Sequence, residues 1–235
     1  PGQRAAGIGA DIVARDRALA PRRDRGPPGG ARGRVPGARC GATAKGAPAR
    51  APRGYAVGRG AREQIPVCLA AVNKGMIRAA AAVADGLVGH PVFTRGYIRD
   101  VVLPELEGSK CSLLPYVITS VADSTEQARN EARGQIGFYY TTRLYHTILD
   151  PHGWREQGET IAAAFKRGDF AAMAAAVTDE MIDEIAIAGT PDEVRDQLKA
   201  WDGLADEVLL YSPSVGIKGG RVQENLDAIV DTFGA

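Results

Sequence analysis

The strongest constraint on what this chain can fold into is a seam near residue 60, where one kind of polypeptide gives way to another. In the first 60 residues Ala (14), Gly (13), Arg (12) and Pro (7) fill 46 positions, and Glu, Ser, Phe, Trp, His, Met and Asn do not occur. Thirteen basic against three acidic side chains give this part a net charge of +10. Sixteen against twenty-five give the remainder −9, so the overall +1 averages two opposites. With Tyr55 as its only aromatic, the first part cannot bury enough apolar surface to offset the entropy of ordering it. The predicted division is a disordered Arg/Gly/Pro/Ala-rich segment over 1–53 and a folded region over 54–235, long enough for a substantial core.

Three readings of the first segment compete. Arg22 to Gly26 and Gly29 to Arg34 have the charge of an RNA-contacting arm but lack the aromatics or Ser of such arms. The segment also suits a linker or leader without a role of its own. Finally, Ala, Gly, Arg and Pro are the residues of GC-rich codons, so the mixture fits out-of-frame translation upstream of a genuine reading frame. The acidic majority of the folded region disfavours nucleic acid as its partner.

Cys40, Cys68 and Cys111 are odd in number and widely spaced, with no CxxC, so neither a disulfide scaffold nor a metal site is expected. No apolar run reaches the roughly 18 residues of a membrane span. The expectation is a cytoplasmic protein.

The folded region reads as repeated strand-then-helix units. Ile65 to Ala71 is an apolar strand-like run, followed by a helical face of Met76, Ile77, Ala80, Ala81 and Val83. Leu87-Val88-Gly89 is a very short buried strand, and Tyr97, Ile98, Val101, Val102 and Leu106 mark a second helix. A third strand within Leu113 to Val121 leads into Ser124-Thr125-Glu126-Gln127, a capping box that starts a helix expected to reach Leu149. Residues 151–189 look helical with no clear strand. Thr190-Pro191-Asp192-Glu193 supplies a second capping box, Glu207 to Tyr211 a fourth strand and Val222 to Phe233 a closing helix. Four βα units with a helical insertion predict a parallel sheet flanked by helices, because parallel neighbours need crossover connections.

In such architectures ligands sit at the carboxyl ends of strands. Those ends are Ala71 to Met76, Gly89-His90-Pro91, Ser120-Val121-Ala122 and Tyr211 to Ser214. At the first, helix amides, Asn73 and Lys74 suit a phosphate, although no GxGxxG or Walker pattern is present. His90 closes a strand at the rim and is an acid/base group by type, with no carboxylate near it in sequence. His146 and His152 lack metal spacing and read as structural, and Ser212 and Ser214 lack a nucleophile elbow.

Three stretches resemble the luciferase-like monooxygenase superfamily, in particular its coenzyme F420-dependent oxidoreductases related to methylene-tetrahydromethanopterin reductase. They are Ile65 to Met76, Ala84-Asp85-Gly86-Leu87 continuing to Pro91, and Gly189 to Arg195 with Ala205 to Tyr211. The resemblance implies a partial TIM-type (β/α) barrel, about four C-terminal βα units. It implies hydride transfer between F420, or FMN as the alternative, and a small organic substrate. It places cofactor contacts on Val72, Asn73, Gly75, Met76 and His90, and designates no catalytic residue and no metal. A full barrel takes about 250 residues, so the expectation is a truncated, weakly active oxidoreductase. The readings beside it are an FMN-dependent monooxygenase and a non-catalytic half-barrel that assembles with a partner or with copies of itself.

Overall fold

The alternation of strands and helices expected from Ile65 onward is present. The computed structural model describes Ile12–Val13 and residues 65–234, and apart from Ile65 these belong to one compact unit. Of the segment expected to be disordered, only Ile12–Val13 (β1) is described; the RNA-contacting arm and the out-of-frame reading fall on residues outside the described set.

The core strands are Cys68–Ala70 (β2), Gly86–Gly89 (β3), Ser112–Val121 (β4), Ala186–Gly189 (β5) and Leu209–Tyr211 (β6). All neighbours among these five are parallel. The order is β1-β6-β4-β3-β2, with β5 beside the second half of β4 and β1 antiparallel to β6. Ile118 pairs with both Ala186 and Tyr211, so β5 and β6 flank β4 on opposite edges.

The helices follow from local chemistry. Asn73 caps Lys74–Val83 (α1) by accepting the Met76 N–H, and α1 buries Ile77 and Ala80. Thr94 caps a stretch running through Arg95–Tyr97 (α2), a π-helical turn Ile98–Val102 and Leu103–Leu106 (α3). The widened turn falls just before Pro104, which has no N–H for an i→i−4 bond and whose ring would strike the carbonyl of Asp100. Ser124 caps Thr125–Tyr140 (α4) through the Gln127 N–H, but the Gln127 side chain donates to Glu131, so half of the expected box forms.

Two expectations are corrected. The long helix ends at Tyr140 rather than near Leu149: the Thr141 hydroxyl turns back to the Phe138 carbonyl, Thr142 is extended, and the chain continues as 3₁₀ turns Arg143–Ile148 and Asp150–His152. The insertion, Arg155–Lys166 (α5), Phe170–Ala175 (α6) and Asp179–Ile185 (α7), ends in strand β5, where no strand was expected. Four residues of Ala, Ile, Ala and Gly, all buried, carry neither alternation nor strong strand propensity.

Pro191–Leu198 (α8) opens as expected on Thr190, whose N–H and hydroxyl both donate to Glu193 Oε2. A Cβ at Gly189 would lie 2.6 Å from that same oxygen, so glycine is what lets Glu193 fold back. Gly219–Phe233 (α9) closes the chain and inserts Asn225, which bonds Val121 N–H, Thr119 O and the Ser212 hydroxyl. Arg221, on the same helix, pairs with Glu131 and donates to Val121 O.

The two faces of the sheet differ. In β4 Leu113, Pro115 and Val117 are buried beneath helices, whereas Ser112, Leu114 and Tyr116 are only half-buried. The same alternation holds for Leu210 against Leu209 and Tyr211 in β6, and for Leu87 against Val88 in β3. Parallel strands are ordinarily covered on both faces. Here, among the described residues, the face opposite the helices stays half-open along β3, β6 and the first half of β4, whereas Ile118 and Ser120 farther along β4 are buried.

Candidate functional site

The open face and the carboxyl ends of β2, β3 and β6 form a cavity of about 660 Å³. Ala70 and Ala71, Val72, Asn73, Met76, Val88 and the run Gly89-His90-Pro91 line it together with Tyr116, Leu144, Tyr145 and Tyr211. Four of the five residues expected at a cofactor site, Val72, Asn73, Met76 and His90, therefore meet around one space. Gly75 lies in the first turn of α1, exposed and outside that lining.

The turn that holds Val72 and Asn73 is fixed from two directions. The Tyr97 hydroxyl donates to Val72 O at 2.8 Å, and Asn73 Oδ1 accepts the Met76 N–H at 3.1 Å. Burial, with the carboxylates of Asp150 and Glu105, pushes the Tyr97 hydroxyl up to about 12, so it remains a donor. Asn73 is thereby committed as a cap; the first-turn amides of α1 are left over, as at any helix start.

His90 sits on the turn after β3, where its Nδ1 accepts the Val92 N–H at 3.4 Å. Its ring packs against Tyr145, centroids 4.1 Å apart, and against the edge of Tyr139 at 5.0 Å. Burial among these rings lowers its pKa to about 4, so the imidazole is neutral near pH 7. Behind it, the Tyr139 hydroxyl donates to the Tyr211 hydroxyl at 3.2 Å. Burial and that bond hold Tyr139 far above the usual phenol range. The cavity wall is apolar and aromatic, punctuated by neutral polar groups and no ionised side chain.

Sequence reasoning missed Tyr116, Leu144 and Tyr145, and placed Tyr211 at a strand end without naming it a cofactor contact. Tyr116 shares the Ser112 and Leu114 face by the period of two, a signal available in the sequence. Leu144 and Tyr145 were hidden inside the helix expected to run to Leu149. His146 and His152 sit in packing positions: His146 is buried with Nε2 on Tyr140 O, and His152 meets the Thr94 hydroxyl and stacks on Trp154 at 4.2 Å. Ser212 serves the Asn225 network. Cys68 and Cys111 are free thiols, and among the described residues no group of three or more His, Cys, Asp or Glu is placed to hold a metal. No described helix is long and apolar enough to cross a membrane.

A model of the luciferase-like monooxygenase family matches residues 38–207, well over half of the chain and beginning upstream of the expected 53/54 boundary. An uncharacterized protein of Mycobacterium tuberculosis is 31% identical over 156 residues, which cover 61% of this chain and 46% of that one. The 5,10-methylenetetrahydromethanopterin reductase of Archaeoglobus fulgidus is 30% identical over 146 residues, 57% of this chain and 44% of the reductase. In three dimensions the chain resembles the coenzyme F420-dependent tetrahydromethanopterin reductase from Methanopyrus kandleri, with a TM-score of 0.58 at 20% identity over 72% of this chain and 51% of that one. The chain thus spans about half the length of the relatives it matches, and its parallel sheet and helices are a portion of a TIM-type barrel. By the extent of the family match, the chain belongs to the luciferase-like monooxygenase family.

Proposed function

We propose that this chain is part of an oxidoreductase that moves hydride between the deazaflavin coenzyme F420 and a small organic substrate. The observation that carries the reading is the meeting of Val72, Asn73, Met76 and His90 around one aromatic-walled cavity at the carboxyl ends of the strands. Its relatives from Archaeoglobus and Methanopyrus, named as reductases of methylenetetrahydromethanopterin, support the reaction class.

The residues fit a flat heteroaromatic ring. A cavity of about 660 Å³ lies within the roughly 300–1,000 Å³ of ordinary ligand sites. Ala70, Ala71 and Gly89 leave room for a ring to approach the strand ends, and Tyr116, Tyr145 and Tyr211 offer ring faces and edges. Val72 and Met76 would pack on the ring and Asn73 and His90 would orient it, with Gly75 outside the wall that touches it. When bound, the deazaflavin supplies the carbon that takes up or gives up hydride. The protein's part is to hold the ring, keep water from one side of it and set its orientation.

The open sheet face and the half-length match support a further element of the proposal, that the chain alone holds the cofactor weakly and turns over slowly. Titration of the purified 235-residue protein with F420, followed by fluorescence quenching, tests both, with FMN titrated in parallel. Weak but saturable quenching by F420, exceeding that by FMN, is expected. Tight binding with turnover removes the truncation argument, and binding of FMN in place of F420 removes the cofactor assignment.

A further inference from the structure

We propose that His90 and Tyr211 act as neutral hydrogen-bond donors that make the cavity selective for an apolar, uncharged ligand presenting a carbonyl oxygen, over the corresponding carboxylate. This rests on the site described above and specifies what it recognises.

The proton positions follow from the bonding. His90 Nδ1 accepts the Val92 N–H, which places the ring proton of the neutral imidazole on Nε2. That nitrogen has no protein partner among the described residues, and it is not one of their fully buried orphan atoms, so it is open to a ligand. Tyr211 Oη accepts from Tyr139 Oη, which leaves the Tyr211 proton to be donated elsewhere. Tyr139 joins the two donors, its ring against His90 and its hydroxyl on Tyr211, and both line the same cavity.

Two acceptors on the wall are already engaged. Val72 O already takes the Tyr97 hydroxyl and Asn73 Oδ1 takes the Met76 N–H. A site whose spare capacity is in neutral donors complements a lone-pair oxygen. It does not repay the desolvation of a carboxylate, which needs a cation or several donors at once; the remaining first-turn amides of α1 belong to Lys74 and Gly75, outside the lining. Lys74 is the cation adjacent in sequence, but it faces outward from the start of α1 and is not part of the lining. The walls of Ala70, Val88, Met76, Tyr116 and Tyr145 require the rest of the ligand to be apolar.

The test uses acetophenone and benzoate, a flat ketone and acid of similar size, titrated into the full chain without cofactor and followed by ligand-observed NMR. Acetophenone is expected to bind at least tenfold tighter than benzoate near neutral pH. Tyr211→Phe and His90→Leu should each weaken acetophenone roughly fivefold, the effect of one neutral hydrogen bond. His90→Gln, which keeps an N–H near the Nε2 position, should recover most of the loss. Circular dichroism confirms that each variant is folded; if Tyr211→Phe is not, the His90→Leu and His90→Gln pair decides. Absence of acetophenone binding, equal or tighter binding of benzoate, or unchanged affinity in the Leu and Phe variants overturns the proposal. Adding F420 separates two sources of the carbonyl: displacement of acetophenone assigns the donors to the cofactor's own ring carbonyl, and joint binding assigns them to a substrate. Failure of F420 to bind while ketone and acid are still discriminated counts against the cofactor reading alone.

Discussion

His90 shows how far a residue's chemistry depends on what surrounds it. In sequence it is a histidine before a proline with no carboxylate nearby, and its ordinary pKa would leave it partly charged at the edge of the physiological range. In the fold, Tyr139 and Tyr145 enclose the ring and lower its pKa to about 4. The sign for stability follows. Between about 6.5 and 4 the unfolded chain binds this proton and the folded chain does not, so His90 makes stability fall as pH drops through that window, by up to about 1.4 kcal/mol per pH unit. NMR titration of the His90 Cε1–H should give a midpoint near 4, and His90→Gln should flatten this part of the pH–stability curve. A midpoint near the unperturbed value would mean that the ring is solvated and the cavity open.

At the scale of elements, the capping motifs at Ser124 and Thr190 were read from the sequence, and the structure adds further caps of the same local chemistry. Asn73, Thr94, Ser124, Thr178 and Asp169 each accept a backbone N–H three residues on, and the Thr190–Glu193 arrangement stands where its motif put it. The Asp85-Gly86 join is instead set by the neighbouring strand: Asp85 Oδ2 accepts the Val67 N–H, and a Cβ on Gly86 would fall 2.8 Å from Cys68 Sγ. What no local signal announced was β5, whose four residues are a strand only because the second half of β4 offers them an edge. The hold of α9 on the sheet is equally non-local, since Asn225 reaches back over a hundred residues to Val121 and Thr119. Asn225→Ala leaves buried partners on β4 unsatisfied and should destabilise the fold by about 2–4 kcal/mol, measured by urea unfolding. A loss under about half a kcal/mol would show that α9 docks by apolar contact alone.

At the scale of the whole molecule, the sheet is covered on one face and half-open on the other, and β2 stands at the edge of the described strands. A second apolar surface lies elsewhere: Phe138, Phe165 and Phe170 are 41%, 37% and 60% exposed, with rings about 6 Å apart. Uncovered apolar surface and unpaired strand edges favour association. Sedimentation velocity on the purified chain should show species heavier than the 24.7 kDa monomer, increasing with concentration; a monomer throughout would mean that these surfaces are adequately solvated. The sequence by itself determined the strand-then-helix rhythm, the capping motifs at Ser124 and Thr190 and the turn carrying Val72, Asn73 and Met76, because periodicity and capping are written in neighbouring residues. Only the tertiary structure decided that Tyr145 packs on His90 and that Tyr116 and Tyr211 line the same cavity. Their positions are set by the register of β4 with β6 and by the end of α4 at Tyr140, both consequences of contacts between residues far apart in the chain.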